Sequence, residues 1–163
     1  SSIHNVGIIA TKTTVASGVY QEKFTRRKPE LKYAAVATPL LAPMIEEGFY
    51  DNSISHAVLE NYLLLPQLRE IDALILACTH YPLIKHQIAS FYSDDVQILD
   101  SAEVVALKLK RILQKEKIMA LEKPEKNDKF FVSDYTTSFE KTATIFFPDE
   151  IKLIKSDIWE SQV

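Results

Sequence analysis

Ala73-Leu74-Ile75-Leu76-Ala77-Cys78-Thr79-His80-Tyr81-Pro82-Leu83-Ile84 reads as a strand that turns into a helix. Its apolar first half, entered from Asp72 and broken at Pro82, has the length and continuity of a strand buried on both faces. The polar trio Cys78-Thr79-His80 falls at that strand's carboxyl end, the edge where open α/β sheets gather their ligands. Pro82 suits a first helical turn, and Leu83, Ile84, His86, Gln87 and Ile88 continue as a short amphipathic helix. A thiol at the head of such a helix stands near backbone N–H groups and the positive end of a helix dipole, both of which favour thiolate over thiol.

Outward from this run the chain alternates strand and helix. Val6–Ala10 and Tyr33–Ala37 are short apolar strands before it, and Val96–Leu99 is one after it. Between the first two, Thr11, Thr13 and Thr14 offer capping hydroxyls to a helix that takes in Val15, Val19, Tyr20 and Phe24. That helix closes on Arg26-Arg27-Lys28, where cations complement the dipole and need no nucleic-acid partner. After Thr38-Pro39, a short helix runs from Leu40 to Gly48, and a longer one has Ile54, Val58, Leu59, Tyr62, Leu63 and Leu65 on a buried face. Asp100-Ser101-Ala102-Glu103 forms a capping box for a helix whose Val105, Leu109 and Ile112 share one side. Such alternation implies an α/β fold, a mostly parallel sheet with helices on both faces. A charged stretch from Glu122 to Lys129 is the best linker candidate. Beyond it we expect a strand at Phe130–Ser133, a helix from Thr137 to Phe147 and a last strand at Ile151–Ile154.

Composition narrows the function classes. At 163 residues and 47% hydrophobic, the chain can bury a core of one domain or somewhat more. A net charge of −3 with both signs interspersed gives no footprint for nucleic acid or a membrane surface. One cysteine excludes an internal disulfide and fits a reducing cytoplasm. No apolar run approaches a membrane span, and the amino terminus lacks a basic-then-apolar signal.

The run Leu74 to Ile84, Leu-Ile-Leu-Ala-Cys-Thr-His-Tyr-Pro-Leu-Ile, closely resembles the second catalytic-cysteine motif of the glutamate racemases, members of the aspartate/glutamate racemase family that work without a cofactor in bacterial cell-wall synthesis. Gly7 to Tyr20 resembles the racemase segment in which a strand leads into a threonine-rich turn near the substrate, with Ala10 where the family more often has glycine. Thr38 to Gly48 resembles the segment that supplies an acidic residue, a role that falls by position on Glu46. Leu99-Asp100-Ser101-Ala102 resembles the junction after the second domain, and Phe131-Val132-Ser133-Asp134 with Phe139 loosely resembles the family's tail. The strand, Asp-Ser turn and glycine-rich segment with which these racemases begin are not in this sequence, nor is their other cysteine, followed by Asn-Thr.

The resemblance implies a flavodoxin-like topology, with residues 1–99 as the second racemase α/β domain and 100–163 as a segment returning to a first domain missing from this chain. It implies interconversion of L- and D-glutamate in the cytoplasm, supplying D-glutamate for peptidoglycan, without metal or cofactor and commonly as a homodimer. Inversion needs a proton to leave one face of the α-carbon and another to arrive on the opposite face, so Cys78 serves one face and a partner cysteine the other. His80 takes or lends the thiol proton and Glu46 fixes its tautomer. Thr79 and His80 meet a substrate carboxylate at the helix amino terminus, and Thr11 and Thr14 hold the other end.

Plainer roles stand beside these. Cys78 also suits an inert core thiol, Thr11 and Thr14 suit helix caps, Glu46 suits a solvated helix residue, and His86 suits a structural position, while His4 and His56 have no motif around them. A racemase relative acting on aspartate or another small acid, and a non-catalytic binding domain of the same fold, remain alternatives. His80-Tyr81-Pro82 speaks against the first, where an acidic then apolar pair is usual. Cys78, His80 and His86 match no closed zinc site, and a cysteine hydrolase needs an oxyanion hole and an oriented histidine.

Overall fold

Four apolar runs pair side by side as β1 (Asn5–Ala10), β2 (Lys32–Ala37), β3 (Ala73–Ala77) and β4 (Gln97–Asp100), all parallel and in the order β2-β1-β3-β4. The computed structural model describes residues 3–93, 95–120, 129–136, 143, 147 and 151–157. Its Cα packing divides the chain into Ser1–Lys110 and Arg111–Val163.

The order follows from chain direction. From β1 the chain steps to β2, then returns past β1 to β3 and on to β4. Right-handed crossovers therefore place α1 (Lys12–Ala16) and α2 (Val19–Arg27) on one face, and α3 (Leu41–Glu46), α4 (Ser53–Leu63) and α5 (Lys85–Phe91) on the other. Phe24 of α2 stacks on Tyr33 of β2 with ring centroids 5.2 Å apart, closing the first face. On the second, Val36, Ile9 and Leu76 stand in register across three strands and meet Leu41, Ile45, Leu59, Leu63 and Ile88 in the main core. The mostly parallel α/β class expected from the sequence is the one observed.

Two helices differ from expectation. The segment from Val15 to Phe24 is not one helix: Ser17 caps α1 and Gly18 turns through φ 65° before α2 begins. In α4 the buried residues are Ser55, Leu59 and Leu63, while Ile54 is exposed, because Asn52 caps the helix reciprocally with Ser55 and so sets its rotation.

β4 runs into α6 (Ser101–Lys115), where the Asp100 carboxylate accepts from the backbone N–H groups of Ala102 (2.8 Å) and Glu103 (3.4 Å). The Glu103 side chain pairs with Lys85 Nζ at 3.2 Å. No residue of α6 is buried, and Val105, Leu109 and Ile112 of its apolar side are all exposed. In the second unit, β5 (Phe130–Val132) and β6 (Leu153–Lys155) form a parallel pair; β6 begins two residues later than the expected strand at Ile151. The expected helix from Thr137 to Phe147, the linker from Glu122 and residue Phe139 fall mainly or wholly outside the described residues.

The sheet's amino-terminal edge is tied by Asp72. Its Oδ2 accepts from the backbone N–H groups of Asn5 and His4, each at 2.7 Å, and these bonds hold the carboxyl below its ordinary value of 3.8. A carboxyl depressed in the fold contributes stability above its unfolded value, and that contribution drains away as pH falls toward the folded one. Asp72→Asn should therefore melt below the parent protein at neutral pH, with the gap closing in acid. A gap independent of pH in melting curves would refute the linkage.

Candidate active site

The strand order reverses at β1, which opens a crevice between the carboxyl ends of β1 and β3, the position at which doubly wound sheets take ligands. Ala10 pairs with Ala37 on one side and Ala77 on the other, so Thr11, Thr38 and Cys78 leave the sheet at one level. Register thus brings three polar residues from distant parts of the chain to one rim.

The chain turns sharply after β3. Tyr81 N–H donates to the Cys78 carbonyl at 3.2 Å, and Tyr81–Ile84 winds as a 3-10 turn before α5 begins at Lys85. The expected α-helix directly behind Cys78 is therefore displaced. Pro82 in that first turn denies it one donor, and the thiol faces a short 3-10 turn instead of a full helix amino terminus.

A line of three groups crosses the rim. Cys78 Sγ, partly buried, lies 3.8 Å from His80 Nδ1, and His80 Nε2 lies 3.0 Å from Glu46 Oε1. Glu46 is the last residue of α3, whose end is fixed by two closing bonds: Gly48 N–H to the Ile45 carbonyl, and Phe49 N–H to that of Met44. Gly48 takes φ 78°, which suits a residue without a side chain at this helix stop. Two proton arrangements fit the geometry. With Nε2–H donating to Glu46, the Nδ1 lone pair faces the thiol; with both nitrogens protonated, the ring donates to thiolate and carboxylate together. Either way the imidazole can exchange a proton with Cys78 while the carboxylate holds its orientation. The side chains of His80 and Glu46 are 29% and 53% exposed, so the ion pair is screened by water and serves alignment more than stability.

The threonines divide. Thr11 caps α1, its Oγ1 accepting from Thr14 N–H at 3.3 Å and sitting 3.0 Å from Thr14 Oγ1. Both hydroxyls stand at the rim while serving as a helix cap. Thr79 is exposed between Cys78 and His80. His86 does not join them; it lines a cavity of about 500 Å³ with Asp51, His56, Leu59, Glu60 and Gln87. Among the described residues, no three of His, Cys, Asp and Glu converge as a metal-binding group.

Two residues of the rim escape sequence reasoning. Thr38 is fully buried, with Oγ1 2.6 Å from the Tyr81 hydroxyl and 3.3 Å from the Ala10 carbonyl. Tyr81 is also fully buried, and its hydroxyl donates to the Thr38 carbonyl at 3.2 Å. Burial pushes this phenol up to about 12, opposed by the Thr38 hydroxyl and reinforced by Cys78 and Tyr62. The available signals were a hydroxyl directly after a strand and a phenol inside an otherwise apolar run, since buried tyrosines need a partner for the OH.

No protein-family model matches the chain. A glutamate racemase of Geobacter metallireducens is 36% identical over 143 residues, which is 86% of this chain and 52% of that protein. The crystal structure of the Francisella tularensis glutamate racemase in complex with D-glutamate matches with a TM-score of 0.84 and 30% identity, over 96% of this chain and 58% of that one. This chain is similar in sequence and in fold to glutamate racemases. A further relative of that name, from Chlorobium phaeobacteroides, is 32% identical over 147 residues, 90% of this chain and 54% of the relative. The chain spans about half the length of the curated relatives it matches. Among the described residues, no helix is long and apolar enough to cross a membrane.

Proposed function

We propose that this chain carries one of the two proton-transferring half-sites of a glutamate racemase, the whole protein interconverting L- and D-glutamate without a cofactor and supplying D-glutamate for peptidoglycan in the cytoplasm. The observation that carries it is the line from Cys78 through His80 to Glu46 at the switch crevice.

The α-hydrogen of glutamate is a very weak acid, so its removal needs a base placed against it and charges placed against the carbanion. Cys78 thiolate takes that proton on one face and becomes a thiol, the electron pair staying on the α-carbon beside the carboxylate. A thiol from the partner half then protonates the opposite face. His80 returns the proton from Cys78 to solvent and Glu46 fixes the ring. The Thr79 hydroxyl and backbone N–H, with Thr11 and Thr14, hold the substrate's carboxylates.

In this proposal the partner cysteine lies in the part of the relatives' length that this chain does not span. Residues 1–99 are then one racemase α/β domain, and 100–163 lead back to the other. The exposed apolar residues Val104, Val105, Leu107 and Leu109 are surface that such a return would cover. The active protein would be a homodimer.

Circular dichroism of L-glutamate tests this. The chain alone should leave the signal unchanged. Mixed or co-expressed with a complementary racemase half that brings the other cysteine, it should drive the signal to zero. A well-folded complex silent toward both enantiomers would sink the assignment.

A further inference from the structure

We infer that the Tyr81–Thr38 hydroxyl pair is a positioning device that clasps three strand ends together and thereby sets the reach of His80 toward Cys78. The geometry is closed on every side. Thr38 hangs from β1 by its N–H, which donates to the Ala10 carbonyl at 2.8 Å, with its Oγ1 3.3 Å from the same oxygen. The Tyr81 hydroxyl spans 43 residues to meet Thr38 twice, at Oγ1 (2.6 Å) and at the carbonyl oxygen (3.2 Å). Through its own N–H, Tyr81 closes the turn that begins at Cys78. One phenol therefore anchors the Cys78–Tyr81 turn to the ends of β1 and β2.

The bonds are poorly exchangeable with water, because both side chains are fully buried. His80 immediately precedes Tyr81, so a shift of the ring carries the imidazole with it. The contact it governs is loose: 3.8 Å between Nδ1 and Sγ, near the limit for a bond to sulfur. A small displacement breaks it. The titratable groups facing this turn are Cys78 and His80 on the turn itself, Glu46 from α3 and Tyr62 from α4.

This rests on the half-site proposal for its catalytic meaning, but its test does not need activity. Cys78 is the sole cysteine, so alkylation by iodoacetamide, followed by mass across a pH series, reports its surroundings in the 163-residue chain. His80→Asn defines the part of the profile that depends on the imidazole. Tyr81→Phe and Thr38→Val should each lose that part and shift several-fold toward the His80→Asn rates, while Thr38→Ser, which keeps the hydroxyl, should retain the parent profile. A folded Tyr81→Phe that melts lower but alkylates as the parent does would reduce the pair to an ordinary core hydrogen bond. Parent and His80→Asn profiles that coincide would also overturn the inference. Should Tyr81→Phe fail to fold, Thr38→Val gives the same two answers, since it removes the 2.6 Å hydroxyl contact while leaving the Tyr81 ring in place. Absence of glutamate turnover in the parent chain reconstituted with a complementary half, with an intact His80-dependent profile, would count against the half-site proposal alone.

Discussion

Replacing Cys78 by serine in the reconstituted enzyme should lower racemisation by about 10²–10⁴-fold, the range of a positioned acid–base group. Serine nearly preserves size and hydrogen bonding, so the turn closed by Tyr81 N–H on the backbone carbonyl of residue 78 should survive. What disappears is the thiol itself, whose thiolate form is the base in the proposed step. The loss should be a loss of kcat with little change in KM, because Thr79, Thr11 and Thr14 remain to hold the carboxylates. Exchange of the α-hydrogen with deuterated solvent adds a sharper readout: it should fail from the enantiomer whose proton faces Cys78 and persist, slowly, from the other, served by the partner cysteine. Equal exchange from both enantiomers would show that residue 78 is not a face-specific base.

Glu46→Gln should be much milder, roughly tenfold or less, because the Glu46–His80 pair is screened by solvent. The amide oxygen still accepts from Nε2–H, so orientation largely persists and only the charge is lost. The expected order of severity is therefore Cys78 first, then His80, then Glu46. It distinguishes a base with a supporting imidazole from a site in which the carboxylate itself transfers the proton.

The strands are legible because each is an apolar run bounded by turn-forming residues, and the sheet's parallel sense follows from the helices between them. Elements set by a single backbone angle or cap are not. Gly18 splits a pattern that is helical on both sides, and Asn52 rotates α4 so that Ile54 faces water although its apolar character matches that of Leu59. At the rim, Cys78 and Thr11 stand out because each directly follows a strand. Thr38 occupies the equivalent place after β2, yet its partner lies 43 residues on and is found only once the register is known. The Glu46–His80 contact is of the same kind: sequence places Glu46 near the end of a short helix, but only the fold brings α3 over the turn after β3. α6 shows the converse case, a plain amphipathic pattern whose apolar side has no buried residue among those described.

The largest loss of stability should come from Leu74→Ala, for a reason centred on Gly7. Leu74 is fully buried on β3 and stands opposite Gly7 on β1. A Cβ at Gly7 would come within 3.0 Å of Leu74 Cδ1, and within 2.9 Å of Ile71 Cδ1 and Leu68 Cδ2. The three side chains thus fill the volume that glycine leaves, and truncating Leu74 opens a cavity that rigid strands cannot collapse. Such truncations cost about 2–5 kcal/mol, a large share of the roughly 5–15 kcal/mol that holds a domain. The urea midpoint should fall by on the order of 1–2 M. Gly7→Ala alone should also destabilise, since three side-chain tips must move aside, by about 1–3 kcal/mol. In the double variant the new methyl enters space that Leu74 has vacated, and the Ile71 and Leu68 tips gain room to shift. The two losses should therefore be less than additive, with a coupling of roughly 0.5–3 kcal/mol in a double-mutant cycle. Strict additivity would mean that Leu74 and Gly7 do not share the volume the structure assigns them.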